Sequence, residues 1–139
     1  MTEGERLAAA AASLIGVPFR LYGRDPATGL DCIGLAVCCL SQIGYQVEAP
    51  AGYRLRNASI GHWLHLAERA SLRPASGEIL TGDVILTKPG PAQNHLAIAE
   101  GDHSIIHAHA GLRRVVRQPL FSNLTLVARW RLPLPAKDN

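Results

Sequence analysis

The sequence predicts an α+β domain: N-terminal helices, then a central buried helix packed on one face of an antiparallel sheet of about five strands. Three observations carry this. Apolar residues in the first half recur at helical spacing between helix start and stop signals. Near residue 83 the pattern changes to the alternation of strands. The chain has 139 residues, the size of one domain, so 1–139 is read as a single unit that buries roughly two-thirds of its unfolded surface.

Thr2-x-x-Glu5 is a capping box. It opens an alanine-rich helix expected to run to about Ile15, with Gly16 and Pro18 as stop signals. Residues 17–31 read as a loop, because Pro18, Gly23, Asp25-Pro26 and Gly29 all break regular structure. Asp31 is an N-cap, and Cys32 to Ile43 forms a helix ended by Gly44. Ile33, Leu35, Ala36, Val37 and Leu40 make it too apolar for a surface helix. A third helix begins at Asn57 or Ser59 and runs to about Leu72, with Ile60, Trp63, Leu64 and Ala67 on one face. Strands follow at Asp83–Thr87, His95–Ala99, Ser104–His109, Val115–Arg117 and Leu124–Arg131. Pro89-Gly90-Pro91, Glu100-Gly101-Asp102 and Gly111 provide the turns.

Composition excludes several classes. Apolar residues are 47% and charged residues 18%, an ordinary globular balance. No apolar run approaches the roughly 20 residues of a membrane span. Acidic residues at the N-terminus stand where a signal peptide carries positive charge, so neither secretion by the chain's own leader nor membrane insertion is expected. The net charge is +3, from −2 over residues 1–50 and +5 over the rest. No basic run is interleaved with aromatics, so a nucleic-acid partner is not expected. Cys32 and Cys39 on one helix lie about 10 Å apart along its axis, beyond disulfide reach. A Cys38–Cys39 bridge would be strained, and a cytosolic or virion-assembled protein fits better than a secreted disulfide scaffold.

The candidate chemistry starts at Cys32. It occupies the first turn of a helix, where unpaired N–H groups and the helix dipole stabilise a thiolate and lower the thiol pKa. The same N–H groups suit an oxyanion. A thiol nucleophile needs a base and a group that orients the base. Surface positions on a helix are the plainer reading of His62 and His65, and a solvated turn that of His103. His95, His107 and His109 differ, because strand alternation puts His107 and His109 on one face. If Ile98 pairs with Ser104, His95 faces His107; if Glu100 pairs with Ser104, it faces His109. Spacing leaves both open. A zinc site from these histidines with Cys32 or Asp102 has no motif of ligand spacing behind it, and neither metal nor cofactor is expected.

Four blocks, in order, resemble a known family. Gly16-Val17-Pro18-Phe19, Tyr22-Gly23 and Gly29-Leu30-Asp31-Cys32-Ile33-Gly34-Leu35 resemble the cysteine-helix signature of NlpC-type cell-wall cysteine peptidases. Gly82-Asp83-Val84-Ile85 resembles the strand before their histidine, His95-Leu96-Ala97-Ile98-Ala99-Glu100-Gly101 the histidine strand, and Ile105-Ile106-His107-Ala108 the strand of the third polar residue. The stretch Arg24-Asp25-Pro26-Ala27-Thr28-Gly29-Leu30-Asp31-Cys32 is most similar to the branch carried by bacteriophage tails and gene transfer agents.

The resemblance implies a papain-like fold and hydrolysis of peptidoglycan stem or cross-bridge peptides. It implies Cys32 as nucleophile, His95 as general base and His107 as the residue that orients it. Asp31, Tyr22, Phe19 and Ile33 are the implied substrate-binding positions, with Asp31 recognising a free stem-peptide amine. It further implies a tail-tip or hub partner, and a protein made in the bacterial cytoplasm that acts on the periplasmic wall from a virion. Two departures stand out: Ile33 replaces the family's serine, and Phe19 replaces its tyrosine. They motivate a second expectation, a structural tail-hub subunit that kept the fold and lost activity. An amidase or acyltransferase on the same scaffold is the third.

Overall fold

The computed structural model describes residues 1–47, 67, 69, 71–90, 93–101, 103–120 and 125–133. Most of the expected third helix lies outside these, as do His62, His65 and Asp102; Ala67 and Arg69 are helical.

Helix α1 spans Glu3–Ser13, two residues short of its expected end. The Thr2 hydroxyl accepts from the Glu5 N–H at 3.0 Å, and the Glu5 carboxylate accepts from the Thr2 N–H at 3.3 Å. Both halves of the capping box are therefore formed. The loop after it is more ordered than its breakers suggest. It holds a small hairpin of β1 (Arg24–Asp25) and β2 (Gly29–Leu30). Asp25 builds the turn by accepting the Ala27 N–H at 2.9 Å.

Helix α2 spans Cys32–Gln42. Its cap is Asp31, which accepts the Gly34 N–H at 2.8 Å. It stops at Ile43, and Gly44 follows in the left-handed region at φ 101°. Gly34 is a steric requirement, because a Cβ there would collide with the Gly23 carbonyl oxygen. The hairpin loop thus lies directly on the first turn of α2.

The remaining strands form one antiparallel sheet: β3 (Arg73–Pro74), β4 (Val84–Gly90), β5 (Gln93–Glu100), β6 (Ser104–His109), β7 (Arg114–Pro119) and β8 (Leu126–Arg131). The order is β3-β8-β4-β5-β6-β7. Strands β4 to β7 are the expected meander, and β8 returns to the free edge of β4. Among the described residues the sheet has six strands against about five expected, because the two-residue Arg73–Pro74 pairing with β8 carries no strand signal of its own.

Alternation divides the sheet cleanly. Val84, Leu86, Leu96, Ile98, Ile106, Ala108, Val115 and Trp130 pack with Leu7, Ala11, Ile33, Leu35, Cys39 and Leu40 in the main core between helices and sheet. Ile85, Ala97, Ala99 and Ile105 form a smaller cluster on the opposite face. Two backbone contacts tie the layers. Gly82 adopts φ 90°, and a Cβ on it would strike the Gly4 backbone of α1; a Cβ on Gly4 would meet the Thr81 carbonyl at 2.5 Å. Beside this turn, the buried Asp83 carboxylate accepts from Arg131 Nε at 2.7 Å, Arg129 Nη1 at 3.2 Å and the Leu80 N–H at 3.0 Å. It pins the 77–83 loop to β8.

Candidate active site

Cys32 is the first residue of α2 and only 1% exposed. Here one expectation is corrected. The thiol is not acidified by the helix terminus; burial pushes it up to about 12. The N–H groups of Leu96, Ile33 and Cys32 itself do favour the thiolate, and the neighbouring Asp31 charge opposes it. Removal from water outweighs the helix field, because a few N–H dipoles replace only part of a thiolate's hydration. The resting thiol is neutral.

The Leu96 N–H reaches the sulfur because of sheet geometry. Strands β5 and β6 pair at Ile98–Ile106, Ala99–Ile105 and Glu100–Ser104, and the pairing ends there. The Ala99 N–H donates to Asp83 on the β4 side at 2.8 Å. Backbone N–H groups alternate sides along a strand, so the Leu96 N–H turns towards β6, beyond the last rung. The start of α2 packs into that opening.

The register decides a point that spacing left open. Glu100 pairs with Ser104, so the extrapolated ladder puts His95 opposite His109. Its hydrogen bond is nonetheless to the diagonal residue: His95 Nε2 lies 2.6 Å from His107 Nδ1, with the rings nearly perpendicular at 79°. His107 Nε2 lies 2.6 Å from Gln118 Oε1. His109 stands 5.4 Å from the His107 ring by centroids, and its Nδ1 accepts the Leu112 N–H. The Thr87 hydroxyl donates to the His95 carbonyl at 3.3 Å and steadies that strand end.

Burial pushes His95 down to about 3, with His107 and then His109 adding to it. His107 is lowered by burial and by His109, against the Gln118 hydrogen bond that raises it. Both rings are neutral at pH 7. The structure thus joins His95 to His107 directly. It brings Cys32 to the backbone of the residue after His95, and no hydrogen bond joins the thiol to either ring.

The four expected substrate positions differ in access. Tyr22 is 46% exposed and sits at φ 62°. Phe19 is half-buried against the core. Ile33 is wholly buried in that core and turns no surface outward. Asp31 is equally buried, and its carboxylate is occupied within the chain. Oδ1 takes the Gly34 N–H and Arg24 Nη1 at 3.0 Å, and Oδ2 takes the Tyr22 N–H at 2.8 Å. In this conformation Asp31 organises the loop and the helix start, with both oxygens turned inward. Sequence reasoning missed Arg24 and Gln118. Gln118 shares strand parity with Val116, the partner of His107; extending the fourth strand by one residue would have found it.

Among the described residues, no group of three His, Cys, Asp or Glu is placed to hold a metal ion, and no helix is long and apolar enough to cross a membrane.

Known structures share this fold. NlpC1 from Trichomonas vaginalis is similar at 21% identity and TM-score 0.68, over 94% of this chain and 45% of that one. The NlpC/p60 domain of the peptidoglycan hydrolase SagA matches at 24% identity and TM-score 0.65, over 94% and 99%. The peptidoglycan hydrolase RipB from Mycobacterium tuberculosis matches at 21% identity and TM-score 0.62, over 93% and 64%. The chain therefore spans less than half the length of the Trichomonas protein and nearly all of the SagA domain. No curated protein matches it. The family match runs over residues 16–128, from the end of the first helix into β8 and across every candidate residue, and the chain belongs to the NlpC/P60 family.

Proposed function

We propose that the chain is a cysteine peptidase that hydrolyses peptide bonds in peptidoglycan stem or cross-bridge peptides. The observation that carries this is the convergence at the opening between β5 and β6. The Cys32 thiol lies at a helix start against the Leu96 N–H, and the hydrogen-bonded His95–His107 pair stands at the same strand ends. Family membership and similarity to chains described as peptidoglycan hydrolases support the same substrate class.

In this reading His95 takes the thiol proton as sulfur attacks the peptide carbonyl carbon. The N–H groups of the first turn of α2 receive the developing oxyanion. The proton on His95 then passes to the leaving amine, the C–N bond breaks, and an acyl-enzyme remains. Water, giving its proton to His95, releases the carboxylic acid and restores the thiol. The transfer occurs within the encounter with substrate, because the resting groups are both neutral. Asp31 serves as a cap more than as an anchor for a substrate amine.

The test is digestion of purified sacculi. Wild-type protein should release peptide fragments with new amine and carboxyl ends, and Cys32→Ala should release none; equal release by both would end the proposal. Mass spectra of the products separate hydrolysis from acyl transfer or cleavage of a non-peptide amide. The finer setting, a tail-tip component made in the bacterial cytoplasm and presented to the periplasmic wall by a tail hub, rests on the stretch Arg24–Cys32 alone. Co-purification with phage-like particles tests it.

The sequestered thiol favours a second reading, a structural subunit without activity. Under it, Cys32 stays unmodified by iodoacetamide at neutral pH even with muropeptide present. The peptidase reading expects muropeptide to change the alkylation rate.

A further inference from the structure

The chain of two hydrogen bonds through His107 has a direction. His107 Nε2 faces Gln118 Oε1, and an amide oxygen accepts but never donates. The proton in that bond therefore belongs to His107 Nε2. A neutral imidazole carries one proton, so His107 Nδ1 is a bare acceptor. The proton between the rings then belongs to His95 Nε2, and His95 Nδ1 is left as a lone pair.

We infer that Gln118 is a positioning residue: through His107 it fixes the proton on His95 Nε2 and keeps His95 Nδ1 open to accept the Cys32 proton. This rests on the peptidase reading for its consequence in catalysis, but the proton placement needs only the two hydrogen bonds and the neutrality of two buried rings. Without an acceptor at position 118, the mirror arrangement forms the same ring–ring bond, with His107 Nδ1 donating to His95 Nε2. That arrangement puts a proton on His95 Nδ1, where it cannot take another from the thiol without first losing its own. Water is a poor substitute for the amide, because His107 is only 7% exposed. The fold makes the amide dependable. Val116 pairs with His107 and Gln118 with Ile105, so Gln118 stands on the His107 face of β7.

The test uses the full chain labelled with 15N-histidine. Two-bond 15N–1H spectra read each ring's tautomer without substrate, and kcat and KM on a purified muropeptide read the consequence. Wild type should show both rings protonated at Nε2. Gln118→Leu, which keeps the volume and removes the acceptor, should shift His95 towards the Nδ1–H form. Partners that orient an imidazole through its second nitrogen are worth about 10–100-fold at metal sites, and a drop of that order in kcat with KM unchanged is expected here. Gln118→Glu, which keeps an acceptor, should restore the Nε2–H form and most of kcat. If Gln118→Leu does not fold, Gln118→Met replaces it; the wild-type spectrum needs no variant. An Nδ1–H His95 in wild type overturns the inference, as does a leucine variant with unchanged tautomers and kcat. The two readings fail separately. Spectra as expected without hydrolysis by wild type would sink the peptidase reading and support this one. Hydrolysis equal in wild type and Gln118→Leu would do the reverse.

Discussion

Asp31 and Cys32 are adjacent, and their environments pull the chemistry in opposite directions. Asp31 is spent on structure, capping α2 and holding Arg24 and the Tyr22 N–H. Asp31→Ala should cost at least the about 1 kcal/mol of a lost N-cap, and more because Arg24 loses its buried partner. Thermal unfolding should show a Tm several degrees lower. If Tm holds while hydrolysis falls, Asp31 contacts substrate instead. The burial of His95 and Cys32 gives a second expectation. His95 is held near 3 by burial, against about 6.5 when unfolded. As pH falls below about 6.5 the unfolded chain gains a proton that the folded chain refuses, so stability drops towards pH 3. Cys32 is held near 12, against about 8.5 when unfolded. Above that value the unfolded thiol ionises first, and stability drops again. Denaturant midpoints across pH should form a plateau between these limits. His95→Gln should flatten the acid side and Cys32→Ser the alkaline side; unchanged slopes would refute the assignment.

At the scale of elements, the helix start and the opening of the ladder make the site together. The capping signal at Asp31 and the apolar run after it placed α2 to within a residue, because a cap and a continuous buried face are local properties. The thiol's acidity was not legible from the same residues. Its sign depends on how completely β5 and the rest of the fold close over the sulfur, which no local pattern records. The diagonal His95–His107 bond was not legible in spacing, since two registers satisfied the alternation and the partner is not the one directly across; the family resemblance alone named the pair. The loop fits α2 through Gly34, where a side chain would meet the Gly23 carbonyl. Gly34→Ala should therefore destabilise by more than about 1 kcal/mol, as overpacking does, although alanine favours helix elsewhere. A neutral or stabilising effect in urea unfolding would show that the loop yields easily.

Across the whole molecule, helices from the first third of the chain cover a sheet built from the second half, and the division into α and β halves was readable from period alone. The return of β8 to the edge of β4 was not, because nothing local tells a final strand which edge is free. Asp83 secures that closure by joining a loop before β4 to two arginines of β8. Asp83→Ala leaves Arg129 half-buried without its carboxylate, and a loss of about 3 kcal/mol is expected, as when one partner of a buried ion pair is removed. Asp83→Asn should lose less, since it still offers an oxygen. Equal midpoints for both variants and wild type would mean the pairing adds nothing.

The contact between Gly4 and Gly82 extends this to selection. Two positions nearly eighty residues apart obey one steric rule: a side chain on Gly82 would strike the Gly4 backbone, and one on Gly4 would strike the Thr81 carbonyl beside Gly82. In a library randomised at both and sorted for folded protein, glycine should return at the two sites together, and a permissive partner at one should not rescue a larger residue at the other.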